Sequence, residues 1–363
     1  MLVSAIVSTY KGERFIRGCL DDLVAQTLFA GGELEVVVVD SASPQGEGRI
    51  VEEFVTRYPR QFVYHRTAER ETLNAAWNRG IKLARGKYVT NANVDDRHDP
   101  ICLAAQAEAL EAHPEMALVY PDSYLTTVPN LPFEEAPKER LMAWPDFDRD
   151  TLFDYCYFGP HPMWRKCIHD KLGYFDEAMI ASGDYEFWLR ISMHYPCLHL
   201  ARPLSLYLEN PSSISLSNVD IGWQEGEVAR KRYWDPAWGE MPTVRRVAKN
   251  LQSLAVKATT LAQQTQGENK PLAIGIYGAG KHTQRMLNAF EKTVSPVGKI
   301  VAILDDKPRS EQMGGIAVHP TAAWSGLGLQ AILVSSDTYE VQMAERLGTM
   351  LGGAVPIWKF YSN

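Results

Sequence analysis

Residues 87–100 read KYVTNANVDDRHDP. The β-rich run Tyr88-Val89-Thr90 breaks off at Asn93-Val94-Asp95-Asp96. Two adjacent carboxylates at a strand end repel each other, and they are costly to desolvate unless positive charge lies beside them. A hard divalent cation supplies that charge. One held by only a couple of carboxylates commonly completes its shell with phosphate oxygens. The stretch therefore reads as a candidate site for a metal and a diphosphate ligand. The plain alternative is an Asp-Asp turn capping the helix that starts near Pro100, because Asp is a favoured N-cap.

Outward from this stretch, the first half of the chain alternates short apolar strands with amphipathic helices. Leu2–Ser8 reads as a buried strand, and Phe15, Ile16, Cys19, Leu20, Leu23 and Val24 recur at helical spacing. Glu35–Asp40 (EVVVVD) is a β-branched strand ending in an acid. Helices are expected near 47–57, 72–84 and 101–112, and strands near 61–65, 87–93 and 116–120. This rhythm predicts an α/β fold with a mostly parallel sheet and helices on both faces. Ligands of such sheets bind outside the carboxyl ends of the strands. Three groups fall at those ends: Thr9-Tyr10, Asp40 and Asn93–Asp96. Residues 125–160 carry Pro129, Pro132, Pro137 and Pro145 and read as loops covering a site. Helical pattern returns at 163–172 and 184–195.

Further on, Val244, Val247, Leu251, Leu254, Ala258 and Leu261 follow 3-4 spacing. The stripe reads either as a dimerising coiled coil, giving a homodimer through 244–261, or as a helix packed on its own chain. Gln263–Lys270 is polar and linker-like. A second β-α unit follows, with a strand Leu272–Tyr277, the turn Gly278-Ala279-Gly280, and a helix carrying Met286, Leu287 and Phe290. Strands at 299–304 and 330–335 continue it. The expected organisation is a first domain over 1–240, a connecting helix and linker over 241–270, and a small Rossmann-like α/β domain over 271–363. Gly278 and Gly280 are two of the three glycines of GxGxxG, with Thr283 at the third. Asp305 stands at about the spacing of a ribose-binding acid. A nucleotide or nucleotide-sugar site is one reading of this unit; a structural or oligomer-forming domain is the other.

The chain has 363 residues, 45% hydrophobic and 22% charged, with a net charge of −7. That charge argues against a general nucleic-acid-binding surface. Its five cysteines form no CxxC pair, which fits reduced thiols better than a disulfide framework or a zinc site. No apolar run approaches a membrane span. The expectation is a cytoplasmic protein, working at most on the inner membrane surface.

Three further features carry chemistry. Asp40 closes a strand before a Ser-Ala-Ser-Pro turn, where a carboxylate can accept from a ribose hydroxyl or a base N–H, or simply make a turn. Asp184 lies near the start of a helix, so it is either a cap or an ionised general base held by the helix dipole. His161, Trp164 and Arg165 lie in GPHPMWRK, where an aromatic and a cation could line an acceptor sugar pocket; a packed core histidine is the commoner case.

Taken in order and spacing, VSAIVSTYKGE, EVVVVDSASP, LNAAWNRGIKLARGKYVTNANVDDRHDP and GPHPMWRK…LGYFDEAMIASGDYEFWLRIS resemble bacterial glycosyltransferase family 2 over roughly residues 1–215. The resemblance implies a GT-A fold, a nucleotide-diphosphate-sugar donor with a UDP-sugar foremost, a divalent metal (Mn2+ or Mg2+), and inversion at the anomeric carbon. It also implies a glycan or lipid-linked sugar acceptor, in surface polysaccharide or glycan assembly. Thr9, Tyr10 and Asp40 look like the nucleoside pocket, with Glu13 on the same donor side. Asn78 and Arg79 match the helix before the metal strand and count with the donor site. Asp95 matches the metal-binding acid of the DxD motif, with Asn93 and Asp96 beside it on the donor. Asp184 matches the catalytic base of the Glu-Asp motif.

Two positions depart from the family pattern. Asn93 replaces the first acid of DxD and brings no charge. Gly183 replaces the Glu of Glu-Asp and removes an acceptor-side carboxylate. These departures leave room for a catalytically reduced nucleotide-sugar-binding regulatory protein. A nucleotidyltransferase is the other rival, but Ser8-Thr9-Tyr10-Lys11-Gly12 is a poor phosphate loop.

Overall fold

Val- and Ile-rich runs buried on both faces form the strands that the alternation predicts. The computed structural model describes residues 1–210, 212–265, 271–336 and 340–361. The chain divides into two units, Met1–Met241 and Pro242–Asn363.

The strands of the first unit are β1 Val3–Thr9, β2 Leu34–Asp40, β3 Phe62–Arg66, β4 Tyr88–Asn91, β5 Arg97–His98, β6 Leu118–Thr126, β7 Arg140–Met142, β8 Met163–Arg165 and β9 Cys197–Leu208. They form one sheet in the order β3-β2-β1-β4-β8-β6-β9-β5, with β7 beside β6. The strands β1 to β4 pair in parallel, with Thr9 opposite Asp40 and Ile6 opposite Asn91. That register brings the carboxyl ends of β1, β2 and β4 to one edge. Beyond β4 the sheet is mixed: β8 runs antiparallel to both β4 and β6, while β6 and β9 are parallel.

The expected helix over 163–172 is corrected here. Met163 and Trp164 are fully buried in a strand between β4 and β6. Helical residues begin only at Lys166–Ile168 and continue through His169–Leu172. A short apolar run buried on both faces has no periodicity that separates strand from helix.

Helices cover both faces. Glu13–Val24, Glu47–Arg57 and Cys102–Ala112 bury Ile16, Leu20, Val51, Phe54, Leu103 and Leu110 with the side chains of one sheet face. Leu73–Leu83 and Gly183–Ser192 bury Trp77, Ile81, Phe187 and Trp188 on the other, around Trp164. Each large apolar side chain buried in this way contributes roughly 1.5–3 kcal/mol.

The second unit holds β10 Leu272–Tyr277, β11 Gly298–Asp305, β12 Gln312–Met313, β13 Ile316–Pro320, β14 Ala331–Val334 and β15 Ile357–Lys359, in the order β12-β13-β11-β10-β14-β15. All pairings but β12–β13 are parallel. The helix Pro242–Thr265 buries Leu254 and Ala258, with Leu251 and Leu261 beside them, in the core of this same unit. Those four residues of the predicted stripe therefore pack on their own chain. Part of the predicted linker, 266–270, lies outside the described residues. Among the described residues no helix is long and apolar enough to cross a membrane.

Candidate active site

The loops after β1 and β2 are tied together before any ligand is considered. Glu47, fully buried, accepts from the Gly12 N–H at 2.7 Å and the Ser43 hydroxyl at 2.7 Å. The Ser43 hydroxyl in turn accepts from the Lys11 N–H at 3.0 Å. Asp40, also fully buried, accepts from the Ser43 N–H at 2.8 Å, the Tyr64 hydroxyl at 2.9 Å and the Arg66 guanidinium. The Asp40 carboxylate is thus engaged by the protein itself. The Arg70 guanidinium stacks 4.2 Å above the Tyr10 ring, and Thr9 is buried at the end of β1. The exposed Glu13 leans over Gly46 in the β2 loop. The sequence offered no signal for Glu47, Tyr64 or Arg66, because each acts through a side chain brought in from another element.

The turn after β4 separates its two acids. Asp96 is buried and accepts from the Asn93 amide at 3.0 Å and the Leu208 N–H at 2.9 Å. Burial first, and then the charge of Asp95, push its carboxyl up to about 8. Asp95 stays half-buried and accepts from the Asn210 amide at 3.1 Å. Arg97, buried behind the turn, donates to the carbonyls of Val94 at 3.1 Å and Asp96 at 2.5 Å, and to Asn130 Oδ1 at 3.0 Å. The turn is thus built by Arg97 and the end of β9, and it leaves one carboxylate accessible. A single accessible carboxylate beside an amide fits a divalent cation that takes most of its oxygens from a bound diphosphate. Among the described residues no cluster of three or more acids, histidines or cysteines could hold a metal by itself.

The three residues expected on the acceptor side are corrected. His161 is fully buried beneath the turn, its Nε2 3.8 Å from Asp96 and its ring 4.2 Å from His98, which itself bonds Asp22 at 2.7 Å. Burial holds the His161 imidazole well below the ordinary histidine range, so it is neutral. Trp164 is fully buried and donates its indole N–H to His169 at 2.9 Å. Arg165 pairs with Tyr88, at the amino end of β4, and donates to the Met116, Leu110 and His113 carbonyls at 2.8, 2.6 and 3.1 Å. It closes the carboxyl end of the helix Cys102–Ala112, away from the Asn93–Asp96 turn.

Asn78 is corrected as well. Asn78, 2% exposed, donates to the Phe175 carbonyl and to Glu177, both at 2.9 Å, and accepts from the Phe175 N–H at 2.9 Å. It holds the chain at 175–177 and has no exposed surface to offer a donor. Arg79 forms a bidentate pair with Glu71 on its own helix entry.

Asp184 lies in the first turn of Gly183–Ser192. Burial raises its carboxyl above the ordinary range, aided by the nearby Glu225 charge and opposed by the Tyr185 N–H, 2.7 Å from Oδ1. The desolvation outweighs the backbone N–H groups of Tyr185 and Asp184, so the carboxyl is raised rather than kept low as the sequence led one to expect. Glu225, which the sequence did not single out, accepts from the Ile180, Ala181 and Ser182 N–H groups at 2.7, 2.9 and 2.9 Å and fixes the entry to this helix.

Residues 4–156 match the model of Glycosyl transferase family 2. Over these residues the chain is similar to family 2 glycosyltransferases. The fold is of the GT-A type. It resembles that of S. aureus TarS 1-349 in complex with UDP-GlcNAc, at TM-score 0.53 and 16% identity over 82% of each chain. It also resembles the mannosyltransferase PcManGT from Pyrobaculum calidifontis in complex with GDP-Man and Mn2+, at TM-score 0.50 and 18% identity over 74% of this chain and 76% of that one. Chondroitin synthase of Escherichia coli is 23% identical over 221 residues, 61% of this chain and 31% of its own length. The chain spans less than two thirds of the length of the first curated relatives it matches.

Outside the matched residues, the second unit has its own glycine turn. Gly278 sits at φ +108°, a conformation that favours glycine. A Cβ at Gly280 would meet nothing within 4 Å. Asp305, expected to face a ribose, instead accepts from the Ala279 N–H at 2.9 Å and the Lys307 N–H at 2.8 Å. Oδ2 braces the glycine turn, and Oδ1 braces the loop after β11.

Proposed function

We propose that the protein transfers a sugar from a nucleoside-diphosphate sugar to an acceptor hydroxyl, with inversion at the anomeric carbon. The observation that carries this reading is the edge shared by Thr9, Asp40 and the Asn93–Asp96 turn, within the residues that match the model of Glycosyl transferase family 2. The nucleoside lies against the tied loops after β1 and β2. Asp95, with Asn93 beside it, would hold Mn2+ or Mg2+, which supplies charge to offset the leaving diphosphate. Asp184 takes the proton of the acceptor hydroxyl as its oxygen bonds to the anomeric carbon and the bond to the diphosphate breaks. The raised carboxyl of Asp184 suits a base, since ionisation nearer to the working pH makes it a stronger proton acceptor.

The UDP-GlcNAc and the GDP-Man with Mn2+ held by proteins of similar fold support a nucleotide-sugar donor and a metal. The likeness to a chondroitin synthase supports a glycan acceptor. Incubation with UDP-glucose, UDP-GlcNAc and GDP-mannose, each with Mn2+ or Mg2+, tests the proposal. Nucleoside diphosphate release that EDTA abolishes is the expected result. Calorimetric binding without release from any donor would favour a regulatory binder, and absence of both would overturn the reading.

A further inference from the structure

We propose that Asn74 is a positioning residue for Asp184, acting through the glycine it imposes at position 183. The proposal rests on the reading of Asp184 as the base. Thr72 caps the helix Leu73–Leu83 by accepting from the Ala75 N–H at 3.2 Å, and Asn74 lies in the first turn behind this cap. Asn74 is 2% exposed and donates to the Asp176 carbonyl at 3.0 Å and the Met179 carbonyl at 2.8 Å. Asn78, one turn later on the same face, holds Phe175 and Glu177. Two amides therefore bind the segment that leads into the Asp184 helix.

Gly183 is where that segment meets Asn74. A Cβ at position 183 would lie 2.0 Å from Asn74 Nδ2, 2.6 Å from Cγ and 2.7 Å from Oδ1. The amide cannot swing aside without giving up both carbonyls, of which that of Met179 is buried with it and that of Asp176 partly so. Gly183 is not among the glycines of positive φ, so no backbone conformation demands glycine there. The demand is steric and comes from one side chain. The missing carboxylate of the Glu-Asp pattern is thus the counterpart of Asn74: the amide occupies the space through which any side chain at 183 would leave the backbone. Position 184 keeps its aspartate, and its backbone is set by Asn74 packed against the residue before it.

A double-mutant cycle tests this, with thermal unfolding, UDP affinity by calorimetry in Mn2+, and UDP release from UDP-GlcNAc as readouts. Gly183→Ala is expected to lower Tm and to cut the release rate more than tenfold at unchanged UDP affinity. In the Asn74→Ala background the same change is expected to have less than half that effect on both quantities, because the obstructing amide is gone. Equal effects in the two backgrounds, or a Gly183→Ala protein indistinguishable from wild type, would overturn the pairing. If Gly183→Ala alone does not fold, folded double variant supports the pair and continued failure overturns it. The base assignment fails separately: wild-type release by Asp184→Asn would reject it while leaving the thermal coupling of 74 and 183 intact.

Discussion

Asn210 donates its side-chain amide to the Asp95 carboxylate across 3.1 Å and 115 positions of sequence. Two residues earlier, the Leu208 N–H bonds Asp96. The end of β9 therefore serves both acids of the turn, although it lies outside the 4–156 family match. Asp95→Ala should abolish Mn2+-dependent UDP binding in calorimetry. Asn210→Ala should weaken it about fivefold, as expected for loss of one partly exposed hydrogen bond worth about 1 kcal/mol. Wild-type affinity in Asp95→Ala would reject its ligand role.

Asp184 gives a rate and a pH prediction together. Its carboxyl is raised by burial above the ordinary value of 3.8, and a base must be ionised to act. Turnover should therefore fall as pH drops through an apparent pKa above 3.8. Asp184→Asn should lose that limb along with roughly 10²- to 10⁴-fold in rate. UDP affinity should stay within twofold. The sign for stability is opposite to that of a salt-bridged acid. The unfolded carboxyl ionises more readily than the folded one, so ionisation works against folding as pH rises. Asp184→Asn should be at least as stable as wild type at pH 7, and a large fall in Tm would contradict this account.

The sequence made the edge of the sheet legible because two strong local signals coincide there. β1, β2 and β4 are short runs rich in β-branched residues set between helical repeats, and they end in the polar residues Thr9, Asp40 and Asn91. The same signal put Asp95 at that edge, where it stays half-buried after β4. His161, Trp164 and Arg165 were not legible, because Met163–Arg165 is buried between two strands and a run of three residues shows no period. Asn78 was misread because its partners, Phe175 and Glu177, are 97 and 99 positions away. A residue type with good reason to touch a ribose has equal reason to hold a loop, and only the contact separates the two.

Asn78 supplies the test that separates those uses. Asn78→Ala removes three hydrogen bonds from a buried site and leaves the Phe175 backbone unpaired on both its N–H and its carbonyl. The cost should be about 2–4 kcal/mol, from one to two unsatisfied buried groups. Urea unfolding should show the lower midpoint, and UDP affinity below that midpoint should not change. A loss of UDP affinity at unchanged stability would return Asn78 to the donor site.

Glu35 tests whether the amino half of β2 stabilises the fold independently of the site. Its carboxylate is fully buried in the strand and receives the Ser4 hydroxyl, the Arg85 backbone N–H and the Arg85 guanidinium, the last at 2.7 Å. Burial alone would raise its pKa, yet the three donors together outweigh it and hold the carboxyl below the ordinary 4.5. An acid whose folded pKa is depressed contributes stability above its unfolded pKa and loses it as pH falls through the folded one. Arg85 is 57% exposed, so solvent screening limits its share. Glu35→Gln, which keeps the shape and removes the charge, should cost about 1–2 kcal/mol at pH 7. The gap to wild type should narrow as pH is lowered below 4.5 and the wild-type carboxyl also takes up its proton. Urea midpoints across pH 3 to 7 measure it, and a pH-independent gap would show that packing rather than charge is what Glu35 contributes.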